Sequence, residues 1–289
     1  MVSWFKKHVT AVDIRSVLLL LTALSILMVL PDRMVDPYGL FNPYKTWFMT
    51  LIIATISFVG YLAMRIFGSR NGLLVTGLAG GLISSTAVAI SLSSLSHEHT
   101  EQSRSFVAGI AMASTLMFFR ILLEVYVVDH DLTSLAASPL LMAAVAGGGY
   151  AIYLYATSSL VSIDVTQSAY MHHPLQISTS LKFGLLFGLI YGMIKLISNH
   201  YGETGVYLVS ALSGVTDVDA ITLSLASMAS DTTIPSAVAV IGISLASMVN
   251  TVIKTGIVIY NGGRDTMVHI VIYMSISLTA MATGLYLTL

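Results

Sequence analysis

The chain has 289 residues, of which 56% are hydrophobic and only 9% charged, against about 25% charged in soluble domains. So few charges cannot cover a water-facing surface, which excludes a soluble enzyme, and 13 basic residues against 14 acidic leave no positive footprint for nucleic acid. The absence of cysteine removes disulfides, thiolate metal sites and cysteine nucleophiles.

A bilayer core of about 30 Å takes about 20 mostly apolar helical residues per crossing. Nine runs of that kind follow one another: Asp13 to Leu30, Thr46 to Phe67, Gly72 to Ser96, Ser105 to Val128, Ser134 to Thr157, Ser180 to Ile197, Thr204 to Ala229, Pro235 to Tyr260 and Met267 to Leu289. The expected fold class is all-α: a polytopic transmembrane helix bundle of about nine spans in a single domain, 1–289. Lys6 and Lys7 precede the first run as in a secretory signal, but no small-residue cleavage site follows and the run ends at Pro31-Asp32. The first run is therefore expected to stay as a span.

Basic residues in short loops mark the cytoplasmic side. With the N-terminus inside, Lys6, Lys7, Arg15, Arg65, Arg70, Lys195 and Arg264 fall inside, while Arg33, Lys45 and Arg104 fall outside with Lys182 near the outer end. The expected location is the cell membrane with a cytoplasmic N-terminus. The outer loops would then be acidic and histidine-rich, carrying His97-Glu98-His99, Glu101 and His172-His173 among others.

The chain aligns with itself at a shift of 133 positions. Gly81 to Ser114 matches Gly214 to Ser247 without a gap, and 12 of the 34 positions are identical, including Gly81/Gly214, Leu92/Leu225, Gly109/Gly242 and Ala113/Ala246. That match exceeds what biased composition produces, so two internal repeats are expected, at about 14–130 and 134–262, with a last span at about 267–289. Four spans separate each residue from its counterpart, which favours parallel repeats; one re-entrant span would invert them.

The seventh run contains Gly214-Val-Thr-Asp-Val-Asp219, placing Asp217 and Asp219 near the bilayer midplane. A carboxylate there costs at least about 2.5 kcal/mol on insertion scales and must face protein, water or a cation. Positions i and i+2 of a helix point about 200° apart, so both carboxylates can approach one ion only if the helix is interrupted. Gly80, Gly81 and Gly214 are the candidate helix breaks, and Thr216 joins the Asp pair as a possible ligand. In the first repeat Ser84, Ser85 and Thr86 stand where the second has Asp217, Val218 and Asp219. One repeat offers hydroxyls, the other carboxylates.

Ser84, Ala87, Ser91 and Ser94 share a stripe spacing with Asp217, Ala220, Ser224 and Ser227, and Ser244, Ser247, Thr251 and Lys254 repeat it, with Asn250 beside them. Small-xxx-small patterns such as Gly77-xxx-Gly81 also serve plain helix packing, which is the favoured reading for the glycines and serines alone. For the Asp pair the functional reading is favoured. Arg120 and Lys254 either snorkel to the headgroups or act in gating and charge pairing, and Glu124 is one turn from Arg120, as a local pair requires. The His97-Glu98-His99 cluster reads as a solvated loop rather than a metal site.

If Arg120 pairs with Glu124 and Lys254 snorkels away, two carboxylates remain and suit one divalent cation. If Lys254 pairs with an Asp, one remains and suits Na⁺, K⁺ or a proton. Carboxylate, hydroxyl and carbonyl oxygens are hard ligands, favouring Mg²⁺, Ca²⁺ or Mn²⁺ over thiophilic metals.

Val29-Leu-Pro-Asp32, Asn42-Pro-Tyr-Lys-Thr-Trp47, Ile56-Ser-Phe-Val-Gly-Tyr61, Gly80 to Val88, Ala211 to Leu225 and Asn250-Thr-Val-Ile-Lys254 carry a resemblance. With them the chain, from residue 14 onward, resembles the membrane domain family of unassigned function often fused C-terminal to an MgtC/SapB-type domain. No MgtC/SapB-like stretch stands ahead of it in this sequence, and His173-Pro174 replaces the more usual Asn-Pro. MgtC-type domains are linked to growth at low magnesium, so the resemblance implies divalent-cation physiology by analogy.

The sequence points to an integral-membrane cation transporter or channel for a divalent cation such as Mg²⁺. Asp217 and Asp219 would be the metal ligands, with Thr216, Ser84, Ser85, Thr86 and Asn250 in support, and no enzymatic activity or resident cofactor is expected. The alternative is a non-transporting regulator that binds a partner through helix contacts; a homodimer or other homo-oligomer fits either reading. An intramembrane aspartyl hydrolase is disfavoured because both mid-depth Asp residues share one run.

Overall fold

The computed structural model describes residues 11–37, 41–67, 72–158 and 177–289, and they contain helices and no strand. In chain order these are α1 (Ala11–Leu27), α2 (Pro43–Phe67), α3 (Gly72–Glu98), α4 (Ser103–Val128), α5 (His130–Ala156), α6 (Ile177–Thr216), α7 (Asp219–Ser230), α8 (Ser236–Asn261) and α9 (Arg264–Thr288). Six of them, α2, α3, α4, α5, α8 and α9, are long and apolar enough to cross a membrane, and α1 carries a shorter apolar stretch, Ile14–Leu27. The chain is a membrane-spanning helical protein. His172, His173 and the Pro174 motif lie outside the described residues.

Two of the expected spans are not straight rods. At Ser84 the backbone of α3 leaves the helical region, with φ −163° and ψ 106°. A Cβ added to Gly80 would lie 2.7 Å from Val88 Cγ2, whereas residues eight apart in a continuous helix are separated by about 12 Å. The neighbouring helix gives the direction of each arm. Gly77 abuts the Gly109 carbonyl and Gly81 abuts Ala113, so the arm 72–83 runs parallel to α4, yet Leu92 of the returning arm 85–98 reaches Gly109 again. α3 is a hairpin whose arms, at 1.5 Å per residue, are about 18 to 21 Å long, roughly half a bilayer.

The second case is built the same way. The chain turns at Gly202, whose φ of 57° and ψ of −141° suit glycine, and Gly205 then lies against Ile197. The arm 203–216 follows, ends at Asp217-Val218, and α7 returns. Gly242 of α8 lies against Ser210 and against Leu225, and Gly214 abuts the Ala246 carbonyl. These contacts are those of the first hairpin moved by 133 positions. α7 is buried from Asp219 to Ala229, enclosed by α4, α6 and α8.

The two hairpins open toward opposite ends of the molecule. At the open end of the first, the Thr266 hydroxyl of α9 donates to Ser96 Oγ at 3.2 Å, and Gly263 faces Thr100. The open end of the second meets the start of α2, where Lys45 Nζ donates to both oxygens of Asp231 at 2.7 and 2.5 Å. α8 runs from one open end to the other. The expected parallel relation is corrected accordingly: each hairpin returns to the end it came from, so three elements rather than four separate the tips, namely α4, α5 and the arm 177–201. For the same reason His97-Glu98-His99 stands at the end of the molecule that holds Arg264, away from Asp231.

Candidate functional site

The tips of the hairpins meet. Ser84, Ser85 and Thr86 from the first and Asp217, Val218 and Asp219 from the second border one cavity of about 50 Å³, closed by Gly81, Ile83, Met117, Arg120 and Asn250. At about 10 to 15 Å³ per water, the space holds a few waters or a partly hydrated ion. Each reversal is held by its own side chain. Ser84 Oγ accepts the Ala87 N–H at 3.2 Å, and Asp217 Oδ1 accepts the Asp219 N–H at 2.7 Å. Both satisfy orphan donors at the start of a returning arm.

Breaking a helix also frees carbonyls, and neighbouring cations and amides take two of them. Asn250 Nδ2 donates to the Gly214 carbonyl at 2.9 Å, and Arg120 donates to the Leu82 carbonyl at 3.3 Å. Arg120 is the hub of the site. Its Nε donates to Glu124 at 3.1 Å, a second guanidinium nitrogen pairs with Asp219 across from α7, and Glu124 is fully buried. A guanidinium carries five donors in a fixed fork, which suits one residue to bridge two carboxylates and a carbonyl.

Lys254 does not snorkel. It is 2% exposed, and its ammonium turns inward to Ser85 Oγ at 3.0 Å and Met117 Sδ at 2.9 Å. Each basic residue thus serves the opposite hairpin, Arg120 beside the first reaching Asp219 and Lys254 beside the second reaching Ser85. Asp217 is different. It borders the cavity, and no Lys or Arg nitrogen lies within 4 Å of its carboxylate among the described residues.

Several sequence expectations need correction. Thr216 is exposed on the outside of the arm, its hydroxyl donating to the Ser213 carbonyl at 3.1 Å, so it does not border the cavity. Gly80, Gly81 and Gly214 are not the break points; the chain reverses at Ser84 and at Asp217-Val218, and these glycines permit contact, with Val88 inside the hairpin and with the backbones of α4 and α8. Arg120 does not pair with Glu124 alone. The expectation of Asp219 as an open metal ligand gives way to its ion pair, and no group of three or more His, Asp or Glu residues among those described is arranged to hold a metal. The structure adds Ile83, Met117 and Val218 to the lining. Met117 was within reach, because extending the 133-position shift by three residues sets it opposite Asn250.

The family described as domain of unknown function (DUF4010) matches residues 51–262. The chain belongs to this family. The match covers both hairpins and every residue of the cavity. A protein from Aquifex aeolicus (strain VF5), described as uncharacterized, is 31% identical over 203 residues, which is 70% of this chain and 88% of that one. No solved structure matches.

Proposed function

We propose that this DUF4010 protein is an integral-membrane cation transporter whose site is the cavity between the two hairpin tips. The observation that carries the reading is the open Asp217 carboxylate, held at a helix reversal beside the hydroxyls of Ser84, Ser85 and Thr86. Interrupted helices meeting near the midplane are how repeat-built transporters assemble ion sites from freed backbone and short polar side chains. The hairpins then form inverted repeats, entering from opposite faces of a nine-segment membrane domain. Supporting this are the contacts reproduced at a spacing of 133 and the opposed open ends.

The hairpins change which loops share a face. Among the described residues, Arg15, Arg65, Arg104 and Arg264 lie at one face by this path of the chain, and Arg33, Lys45, Lys182 and Lys195 toward the other. A cytoplasmic N-terminus is part of the same proposal, because Lys6 and Lys7 precede α1 in the sequence and Arg70 stands between α2 and α3. The ligands are hard oxygens, which suits a small hard cation of the Mg²⁺ class. Three carboxylates and two basic residues sum to a formal charge of −1 with Lys254 protonated and −2 with it neutral; the second case suits a divalent ion. Mg²⁺ commonly keeps several waters and takes one or two carboxylates, as a cavity of this size with one open carboxylate allows.

The test is flux into proteoliposomes for Mg²⁺, Na⁺ and K⁺. Wild-type protein moves at least one of them, and Asp217→Asn cuts that movement by about 100-fold; unchanged flux in the variant ends the reading. Measurable flux in the wild type also excludes a non-transporting regulator. Because the natural chain lacks cysteine, single cysteines report topology without background. Glu98→Cys and Arg264→Cys are expected to label from one side, and Asp231→Cys from the other.

A further inference from the structure

A second cavity, of about 340 Å³, shares no residue with the first. It lies at the end of the molecule that holds Glu98 and Arg264, where α4 and α9 begin and α5 ends. All three helices are long and apolar enough to cross a membrane, so their shared end marks the level at which hydrocarbon gives way to headgroups. Tyr153 and Tyr155 stand in the last turn of α5, and amphipathic rings of this kind gather at that level. The volume falls in the range of about 300 to 1,000 Å³ found for small-molecule sites.

The charged groups that line it are of both signs and unpaired. Arg104 brings a guanidinium with five donors, Glu101 and Asp265 bring carboxylates, and none of the three has an ion pair among the described residues. His269 joins them; its Nδ1 lies 2.9 Å from the Tyr150 hydroxyl, which leaves Nε2 for a ligand. The hydroxyls of the lining are committed as donors and open as acceptors. Ser103 donates to the Thr100 carbonyl at 2.7 Å, Thr157 to the Tyr153 carbonyl at 2.9 Å and Ser158 to the Tyr155 carbonyl at 2.8 Å, and each oxygen keeps its lone pairs. The cavity thus offers strong donors for one anionic group and a larger set of acceptors for a cation that carries N–H. With two carboxylates against one guanidinium, it disfavours a ligand of net negative charge.

We propose that this cavity is a headgroup site for a zwitterionic phospholipid with a primary ammonium, the chemistry of phosphatidylethanolamine. Arg104 and His269 hold the phosphate, and Glu101, Asp265 and the three hydroxyl oxygens take the ammonium N–H groups. A choline headgroup has no N–H to donate, and a glycerol headgroup brings no cation to the carboxylates, so both fit less well. The occupant is a lipid rather than a free phosphate ester because apolar surface continues from the cavity. Val268 and Ile272 flank His269 on α9, Ile152 and Tyr153 lie about one turn before Thr157 on α5, and all four are exposed. Acyl chains can lie along them. The site is separate from the transport cavity and does not depend on that reading.

The test is native mass spectrometry of the full chain, delipidated in detergent and offered equimolar phosphatidylethanolamine, phosphatidylcholine and phosphatidylglycerol, with soluble phosphoethanolamine in a separate arm. Phosphatidylethanolamine is expected to be retained about fivefold or more above either other lipid, and the soluble ester at the same concentration is not. Arg104→Gln is expected to lower retention of all three lipids, since each has a phosphate. Glu101→Gln combined with Asp265→Asn is expected to remove the preference for phosphatidylethanolamine over phosphatidylcholine while lipid stays bound. All three positions are exposed, so the variants should fold, with thermal midpoints like the wild type. Equal retention of the three lipids by the wild type overturns the proposal, as does a wild-type lipid profile in both variants. Soluble phosphoethanolamine bound as tightly as the lipid overturns the lipid as occupant.

Discussion

The first hairpin and the second share their scaffold and differ in their chemistry. In each, a reversal falls at the same position of the 133-residue register, a side chain at the turn captures an N–H of the returning arm, and small residues seat one arm against the next helix. At the turn the first carries Ser84, Ser85 and Thr86, where the second carries Asp217, Val218 and Asp219. The two hairpins share geometry, and the carboxylates stand on one side only. Under the proposed transport reading, that asymmetry gives one ion, rather than two, a place to bind.

The largest effect is expected where the hairpins are tied by charge. Arg120→Leu leaves Asp219 and Glu124 buried without their cation, and removing one partner of a buried pair costs about 3 to 5 kcal/mol. The variant should unfold in detergent at markedly lower temperature. Adding Asp219→Asn to Arg120→Leu should recover part of that loss. A double variant no more stable than the single one would show that Arg120 does not join the two tips.

Transport comes next. Asp217→Asn is expected to cut flux by about 100-fold, equivalent to about 2.7 kcal/mol, whereas Ser84→Ala at the same place in the first hairpin is expected to cost less than about tenfold. Equal losses in both would remove the distinction between a charged tip and a supporting one.

Much of this was legible in the sequence, and the missing parts have physical causes. The 133-position match pointed to two segments whose contacts in the structure correspond, and Asp217 and Asp219 at i and i+2 required a break that the structure supplies. The reversal itself could not be read, because two half-membrane arms such as 72–83 and 85–98 together have the length and hydropathy of one span. Hydropathy reports solvent, not direction. Glycines drew attention as breakers, but at Gly81 and Gly214 the missing Cβ is needed by the neighbouring helix. The inward turn of Lys254 was equally hidden, since a long side chain near a span end goes wherever neighbouring helices leave polar partners, here Ser85 and Met117.

Packing gives the next contrast. A Cβ at Gly214 would run into the Ala246 carbonyl oxygen, and at Gly81 it would come within 2.8 Å of Ala113 Cα. Neither neighbour is a flexible side-chain end, so the helices must separate. Overpacking of this kind costs about 1 to 3 kcal/mol. Gly214→Ala is expected at the upper end and Gly81→Ala below it, measured as midpoints of thermal unfolding, and a reversed order would mean that the first hairpin is the more tightly seated.

The smallest effect separates capping from chemistry at the turns. Ser84→Ala removes the acceptor of the Ala87 N–H and is expected to cost about 1 kcal/mol of stability, as loss of a helix cap does. Ser84→Asp keeps a capping oxygen and copies the second hairpin, so its stability should match the wild type. Its effect on flux should not. A second carboxylate facing Asp217 across a cavity of about 50 Å³ adds a charge for which neither Arg120 nor Lys254 is placed, so transport should fall while the fold holds. Flux equal to the wild type in Ser84→Asp would mean that the site does not sense its own net charge, and the asymmetry between the tips would carry no function.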